Sequence, residues 1–340
     1  IMFTIIGIFT MEVLAIGEAL IDLLSNECIN ENTSNQSFSF NQFAGGAPAN
    51  VAVAVAKLGG KSALLGKVGD DKFGHFLINA LKSHNVNTDH LGLSLRGKTA
   101  IAFVSLDKSG ERTFEFYDKS AAHYDLHITD LDPTLFTQPK IVSFCSGSLA
   151  KPLIYNTTVY ALQQFNKIDS ISCMDINFRP AFWDAPHTAA SVIFEVAKTV
   201  NIIKASKEEL TMLYGIEHIE STIKAWIDSG VTLVLMSDGA KPISFTSQSF
   251  SGTYPCPYAN VVDTTAAGDS FIGGFLYQLA KQICNRSEFS TWTNNFENVL
   301  KAIDFATKCG ALTVSKFGAF DALPTQSEIA NLKLKSAAVA

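Results

Sequence analysis

KIVSFCSG (140–147), LIYNTTVYALQQFNK (153–167) and SISCMDIN (170–177) follow one another within one short stretch of the chain. The outer two are brief apolar runs of strand length, and the middle one is long enough and amphipathic enough for a helix. A strand, a helix and a strand in close succession form a crossover between parallel strands. The same rhythm extends outward: MEVLAIG (11–17), NVAVAVAKLGG (50–60), SALLGKVG (62–69) and DKFGHFLINALKSHNV (71–86) precede it. NIIKAS (201–206), KEELTMLYG (207–215), STIKAWIDSG (221–230) and VTLVLMSDG (231–239) follow it. Alternation over most of the chain predicts an α/β fold of stacked layers around a mainly parallel sheet.

Two stretches break the alternation. Residues 25–44 are rich in Asn and Ser and end in SFSFNQF, while TAIAFVSLDKSGERTFEFYDKS (99–120) reads as two alternating strands joined at DKSG. Together they predict a small antiparallel sheet, either a lid or a plain surface hairpin. The expected division is a body of residues 11–24, 45–98 and 121–330, a lid of 25–44 and 99–120, and an extension of 1–10 ahead of Met11.

The 340 residues are 47% hydrophobic and 17% charged, a composition for a large buried core. A formal net charge of -6 gives no general attraction to nucleic acid or anionic membrane. The six cysteines form no CxxC pair, so neither a zinc ribbon nor a disulfide framework is indicated. His123 and His127 have no third ligand at a recognisable spacing. IMFTIIGIFT (1–10) is apolar but too short to span a bilayer, and a cytoplasmic location is the expectation.

Four segments carry residues suited to chemistry. In TTAAGDSF (264–271), a helix starting near Gly268 would aim backbone N–H groups past Ala266, Ala267 and Gly268 at an anion. Asp269 beside it suits a base for a hydroxyl under phosphoryl attack, and equally an acid that stabilises the helix start. FAGGAPANVAVA (43–54) offers Gly45 and Gly46 for close backbone approach and Asn50 for a hydroxyl partner, or forms only a tight turn. GEALIDLL (17–24) places Asp22 where a carboxylate can accept from sugar hydroxyls, or merely faces solvent. MDINFRP (174–180) sets Arg179 near the end of a strand, for an anion or as part of a surface turn.

In this order, GGAPANVAVAVAKLGGKSALLGKVGDDKFG (45–74) and DTTAAGDSFIGGF (263–275) resemble the two signatures of the PfkB, or ribokinase, family of carbohydrate kinases from Met11 onward. GEALIDLL with GGAPANVA is most similar to the bacterial fructokinases of that family. The resemblance implies a ribokinase-like αβα fold with a β-sheet lid, a dimer through the lids, and ATP- and Mg²⁺-dependent phosphorylation of a sugar hydroxyl. Fructose is the first candidate; ribose, a nucleoside or aminoimidazole riboside, and 2-keto-3-deoxygluconate are alternatives, as is a silent sugar-binding protein.

The resemblance assigns roles by position. Asp269 is the base; the amides of Ala266, Ala267 and Gly268 form the anion hole, with Arg179 contributing to phosphate contacts. Asp22, Gly45, Gly46 and Asn50 hold the sugar, and Phe103 closes over it. Ser206, Ser237, Gly239 and Thr307 take nucleotide positions, Glu209 supports Mg²⁺ through water, and Asp263, Thr265, Lys316 and Gly318 belong to a K⁺ loop. The chain departs from the family pattern where GAGD becomes AAGD, N-x-x-E becomes SKEE and TLGxxG becomes MSDGAKP. Ala266 in particular is expected only if its backbone avoids positive φ.

Overall fold

The computed structural model describes residues 11–28, 39–106, 112–117, 119–137 and 139–332. The expected extension 1–10, the DKSG turn and Phe38 lie outside the described residues. In chain order the strands are β1 (Val13–Ile16), β2 (Leu20–Cys28), β3 (Phe40–Gly45), β4 (Ser62–Gly69), β5 (Leu91–Ser94), β6 (Ile101–Leu106) and β7 (Arg112–Tyr117), then β8 (Ile141–Cys145), β9 (Ile171–Asp175), β10 (Ile202–Ser206), β11 (Leu233–Ser237), β12 (Ile243–Ser247) and β13 (Ser251–Tyr254). The helices are α1 (Ala47–Lys57), α2 (Lys72–Ser83), α3 (Pro152–Lys167), α4 (Pro186–Ala197), α5 (Lys207–Tyr214), α6 (Ile219–Asp228), α7 (Ala267–Gln282), α8 (Arg286–Thr293), α9 (Phe296–Thr313) and α10 (Gln326–Ala330).

Among the described residues the large sheet has nine strands in the order β13-β12-β11-β10-β9-β8-β1-β4-β5. From β11 to β5 the strands are parallel, and β12 and β13 add an antiparallel edge. The central strands β1, β8 and β9 are buried at every position, which is why they read as continuous apolar runs rather than alternating ones. Successive side chains enter opposite layers. Val13, Ile141, Ile171 and Ile202 pack on one face with residues of α7, α8 and α9. Leu14, Val142, Met174 and Ile203 pack on the other with residues of α3, α4 and α6. The αβα layering is therefore as expected.

Helix α7 lies close against its neighbours because FIGGF supplies no Cβ where the helices touch. A Cβ on Gly273 would come within 2.6 Å of Ala54 Cβ in α1, and one on Gly274 within 2.6 Å of Cys309 Sγ in α9. This packing sets the N-terminal end of α7 against that of α1.

The small sheet runs β3-β2-β6-β7 and begins at Leu20. It was expected to be antiparallel; β2 with β3 and β6 with β7 are, but β2 pairs with β6 in parallel. A hairpin forces antiparallel pairing, whereas β2 and β6 are separated by a long connection that passes through the body.

Candidate active site

Loops after β1 and β9, the ends of β10 and β11, and the start of α7 converge on a cleft of about 560 Å³. Ligand sites collect at the carboxyl ends of parallel strands because the connections there diverge. Glu18, Asp22, Gly46, Asn50, Phe116, Asn177, Arg179, Phe182, Lys204, Ser206, Glu209, Ser237 and residues 264–269 line it.

Asp269 lies in the first turn of α7 and is buried. Its Oδ2 accepts a 2.7 Å hydrogen bond from Asn50 Nδ2. Burial pushes its pKa up, while the Asn50 hydrogen bond and the charges of Lys204 and Arg179 pull it back. The carboxyl group at the start of α7 is thus buried against the cleft with its proton affinity raised.

Ala266, immediately before the helix, takes φ 59° and ψ 8°. The expectation that its backbone avoids positive φ is overturned: the left-handed turn that glycine would make freely is kept with a methyl group present. The strain is ~1–2 kcal/mol. The turn is fixed by Ala267 N donating to Thr264 O at 3.3 Å and Ser270 N donating to Ala266 O at 2.8 Å. Beyond it, the first amides of α7 have no partner within the helix and face the cleft end.

The residues assigned to the sugar are neighbours in the fold. Asp22 projects from β2, and a Cβ on the neighbouring Gly45 would sit 2.3 Å from Asp22 Oδ2, so only glycine leaves the carboxylate its place. Gly46 is at φ 102° and starts α1, whose first turns carry Asn50. With Nδ2 committed to Asp269, Asn50 Oδ1 is a buried acceptor with no hydrogen-bond partner among the described residues, suited to a hydroxyl donor.

Phe103 is a correction. It packs edge-on to Phe40 and Tyr117, with ring centroids 5.5 and 5.1 Å away, and does not line the cleft. Ala102 stands opposite Phe116 in the β6–β7 register, and strand alternation turns Phe103 to the other face. Phe116 lines the cleft instead, 4.9 Å from the ring of Phe182.

On the nucleotide side, Ser206 caps α5. Its hydroxyl accepts from Glu209 N at 3.1 Å, and Glu209 Oε2 accepts from Ser206 N at 2.8 Å. Glu209 Oε1 is 3.8 Å from Arg179, whose side chain is about half exposed at the cleft. Ser237 lines the cleft, and Gly239 turns at φ 58° just beyond it. Asp238 brings no bare negative charge, because its carboxylate lies 3.1 Å from Lys241 Nζ and 3.7 Å from Lys207 Nζ. Thr307 is placed elsewhere: it is buried in α9, donates to Asp304 O at 2.8 Å and does not line the cleft.

Asp263 ties two loops together. Its Oδ1 accepts from Thr265 N at 2.8 Å and its Oδ2 from Gly318 N at 3.0 Å. The segments assigned to K⁺ are thus adjacent. Lys316 Nζ is drawn to Glu328 at the start of α10.

Glu18, Asn177 and Lys204 are among the cleft residues to which the sequence-based assignment gave no role. Glu18 is buried, 3.7 Å from Cys145 Sγ, and burial followed by the nearby charge of Asp269 raises its pKa to about 7. Asn177 has a positive φ of 34° at the cleft wall. Lys204 is buried 3.0 Å from Asp175 Oδ2. Their signals are a Glu directly after a strand-ending glycine and a lone Lys inside the apolar run NIIKAS.

Residues 10–326 match the pattern of the pfkB family carbohydrate kinases. Over 330 residues the chain is 36% identical to a probable chloroplastic fructokinase-6 of Arabidopsis thaliana, covering 95% of this chain and 83% of that protein. The fructokinase of Xylella fastidiosa solved with bound ATP superposes with a TM-score of 0.87 at 34% identity, covering 94% of this chain and 97% of that one. That of Vibrio cholerae, solved with fructose, ADP and calcium, gives 0.83 at 31%, covering 95% and 98%. With the Asp269–Asn50 pair, the α7 terminus and the small sheet already described, the chain belongs to the pfkB family of carbohydrate kinases.

Proposed function

We propose that the protein is an ATP-dependent fructokinase, transferring the γ-phosphoryl group of ATP to the primary hydroxyl of D-fructose to give fructose 6-phosphate and ADP. The observation that carries this reading is the buried Asn50–Asp269 hydrogen bond of 2.7 Å, which joins a polyol-binding motif to a base of raised proton affinity. The fructokinase names of the relatives support the choice of sugar.

In this scheme Asp22 and Asn50 Oδ1 accept from sugar hydroxyls and orient the ring. Asp269 takes the proton of the attacking hydroxyl as its oxygen bonds to the γ-phosphorus and the bond to the bridging oxygen of ADP breaks. The amides at the start of α7 stabilise the charge on the moving group, and Arg179 faces the polyphosphate. Phe116 closing on Phe182 excludes water that would otherwise hydrolyse ATP. Glu209, with the other carboxylates of the cleft, fits a Mg²⁺ that keeps its water shell and neutralises the phosphates. The Asp263-linked loops fit a K⁺ that would hold the α7 start in shape.

ADP release from Mg-ATP with fructose, compared between wild type and Asp269→Asn, tests the reading. Loss of ~10²–10⁴-fold in kcat is expected. Turnover of ribose with none of fructose would overturn the sugar assignment.

No helix among the described residues is long and apolar enough to cross a membrane. We further propose a cytoplasmic homodimer joined through the outer lid face, where Phe40 and Tyr117 are exposed. Sedimentation at the mass of one chain would remove the dimer.

A further inference from the structure

Lys204 and Asp175 are direct neighbours on β10 and β9, with Nζ 3.0 Å from Oδ2. Lys204 is 5% exposed and Asp175 3%. A buried ion pair surrounded by apolar strands contributes little to stability, since desolvating both charges offsets their attraction. Its position suggests another use. Lys204 lines the cleft, and a Cβ on Gly268 would lie 2.8 Å from its Nζ, so the ammonium sits against the cradle at the start of α7. Among the described residues its ammonium has one hydrogen-bond partner, Asp175 Oδ2. Asp175 Oδ1 is buried with no hydrogen-bond partner among the described residues, so the pair is held at one point.

The surrounding charge points the same way. Asp22, Glu208, Glu209 and Asp269 line the cleft, a field that repels a polyphosphate, while Arg179 stands at its exposed side. Among the described residues Lys204 is the one lysine or arginine that is buried. Burial works against its ammonium, but Asp175, Glu209 and Asp269 together hold its pKa above the ordinary lysine value. It stays charged across the working pH range.

We infer that Lys204 is a catalytic residue of this cleft, donating its two uncommitted N–H groups to the phosphoryl group in flight, with Asp175 as the positioning residue that aims it. The inference rests on the kinase reading above. The amides of α7 supply fixed dipoles; Lys204 adds the full positive charge that the acidic cleft otherwise lacks where the transferring oxygens gather charge.

The test is Lys204→Met combined with Asp175→Asn, since removing the lysine alone would strand a buried carboxylate and destabilise the sheet. A melting curve establishes that the double variant is folded. The expected result is a kcat lower by ~10²–10³-fold with the KM for fructose within about threefold of wild type. Calorimetric titration supplies a readout that a purely structural role would leave alone. Wild type should bind Mg-ADP with aluminium fluoride more tightly than Mg-ADP alone in the presence of fructose, and the double variant should lose that preference. Asp175→Asn alone should lower kcat by an intermediate factor. A folded double variant with wild-type kcat, or with the aluminium fluoride preference intact, overturns the role of Lys204 and leaves the kinase reading standing. A wild type that phosphorylates no sugar but binds aluminium fluoride through Lys204 does the reverse.

Discussion

Asn50 Nδ2 donates to Asp269 Oδ2 over 2.7 Å, joining residues 219 positions apart in the buried floor of the cleft. On the proposed reading, the group that offers a sugar its amide oxygen also tunes the group that takes the sugar's proton. The hydrogen bond favours the ionised form of Asp269, so its loss raises an affinity for protons that burial has already raised. In Asn50→Leu the acid limb of kcat/KM should move to higher pH. A limb that stays in place would mean that Asn50 acts on the sugar alone.

Gly45→Ala reads the sugar side separately. The added methyl would fall 2.3 Å from Asp22 Oδ2 and must displace that carboxylate, while Asp269 and the start of α7 are untouched. One charge-assisted hydrogen bond to the sugar is lost, so KM for fructose should rise by about tenfold or more with a smaller change in kcat. A fall in kcat at unchanged KM would place Asp22 outside sugar binding.

The small sheet makes a contrasting pair. Phe116 lines the cleft and meets Phe182 at 4.9 Å, whereas Phe103 packs on Phe40 and Tyr117 on the other face. Phe116→Ala should open a path for water, raising ADP release in the absence of sugar and weakening the sugar-dependent rate. Phe103→Ala should leave the sugar-independent rate as it is. The opposite result would reverse the faces of the small sheet.

These pairs also mark where the sequence is legible. The strand–helix rhythm is a local pattern that suffices for the αβα layers, and the two glycine-rich motifs single out Asp269 and Asn50, which the fold brings to one cleft. Phe103 and Phe116 lie on strands of equal alternation, and which ring faces the cleft depends on the parallel pairing of β2 with β6, which no local pattern encodes. Lys204 has the same difficulty: its meaning comes from Asp175 across the sheet and Gly268 from a distant helix. Ala266 shows a third limit, since a rule about φ and side chains yields where the surrounding turn is held on both sides by hydrogen bonds.

Glu18 offers a test that needs no substrate. Burial, helped by the charge of Asp269, lifts its pKa from the ordinary 4.5 to about 7, against hydrogen bonds that favour the anion, including one from the amide of Ala47. Between those two values the unfolded chain has lost this proton and the folded chain retains it. Raising the pH through the window therefore favours unfolding, and the full cost is present above pH 7. Glu18→Gln removes the titration while keeping an oxygen to accept from Ala47. The variant and wild type should unfold at similar temperatures near pH 4.5, and the variant should gain on wild type up to pH 7 and hold a constant lead above it. That lead should be no more than ~3 kcal/mol. Thermal melts across this range decide the point. A variant less stable at every pH would mean that Glu18 is folded as an anion on the α1 amides, and that the carboxylate beside Asp269 adds a standing negative charge to the cleft.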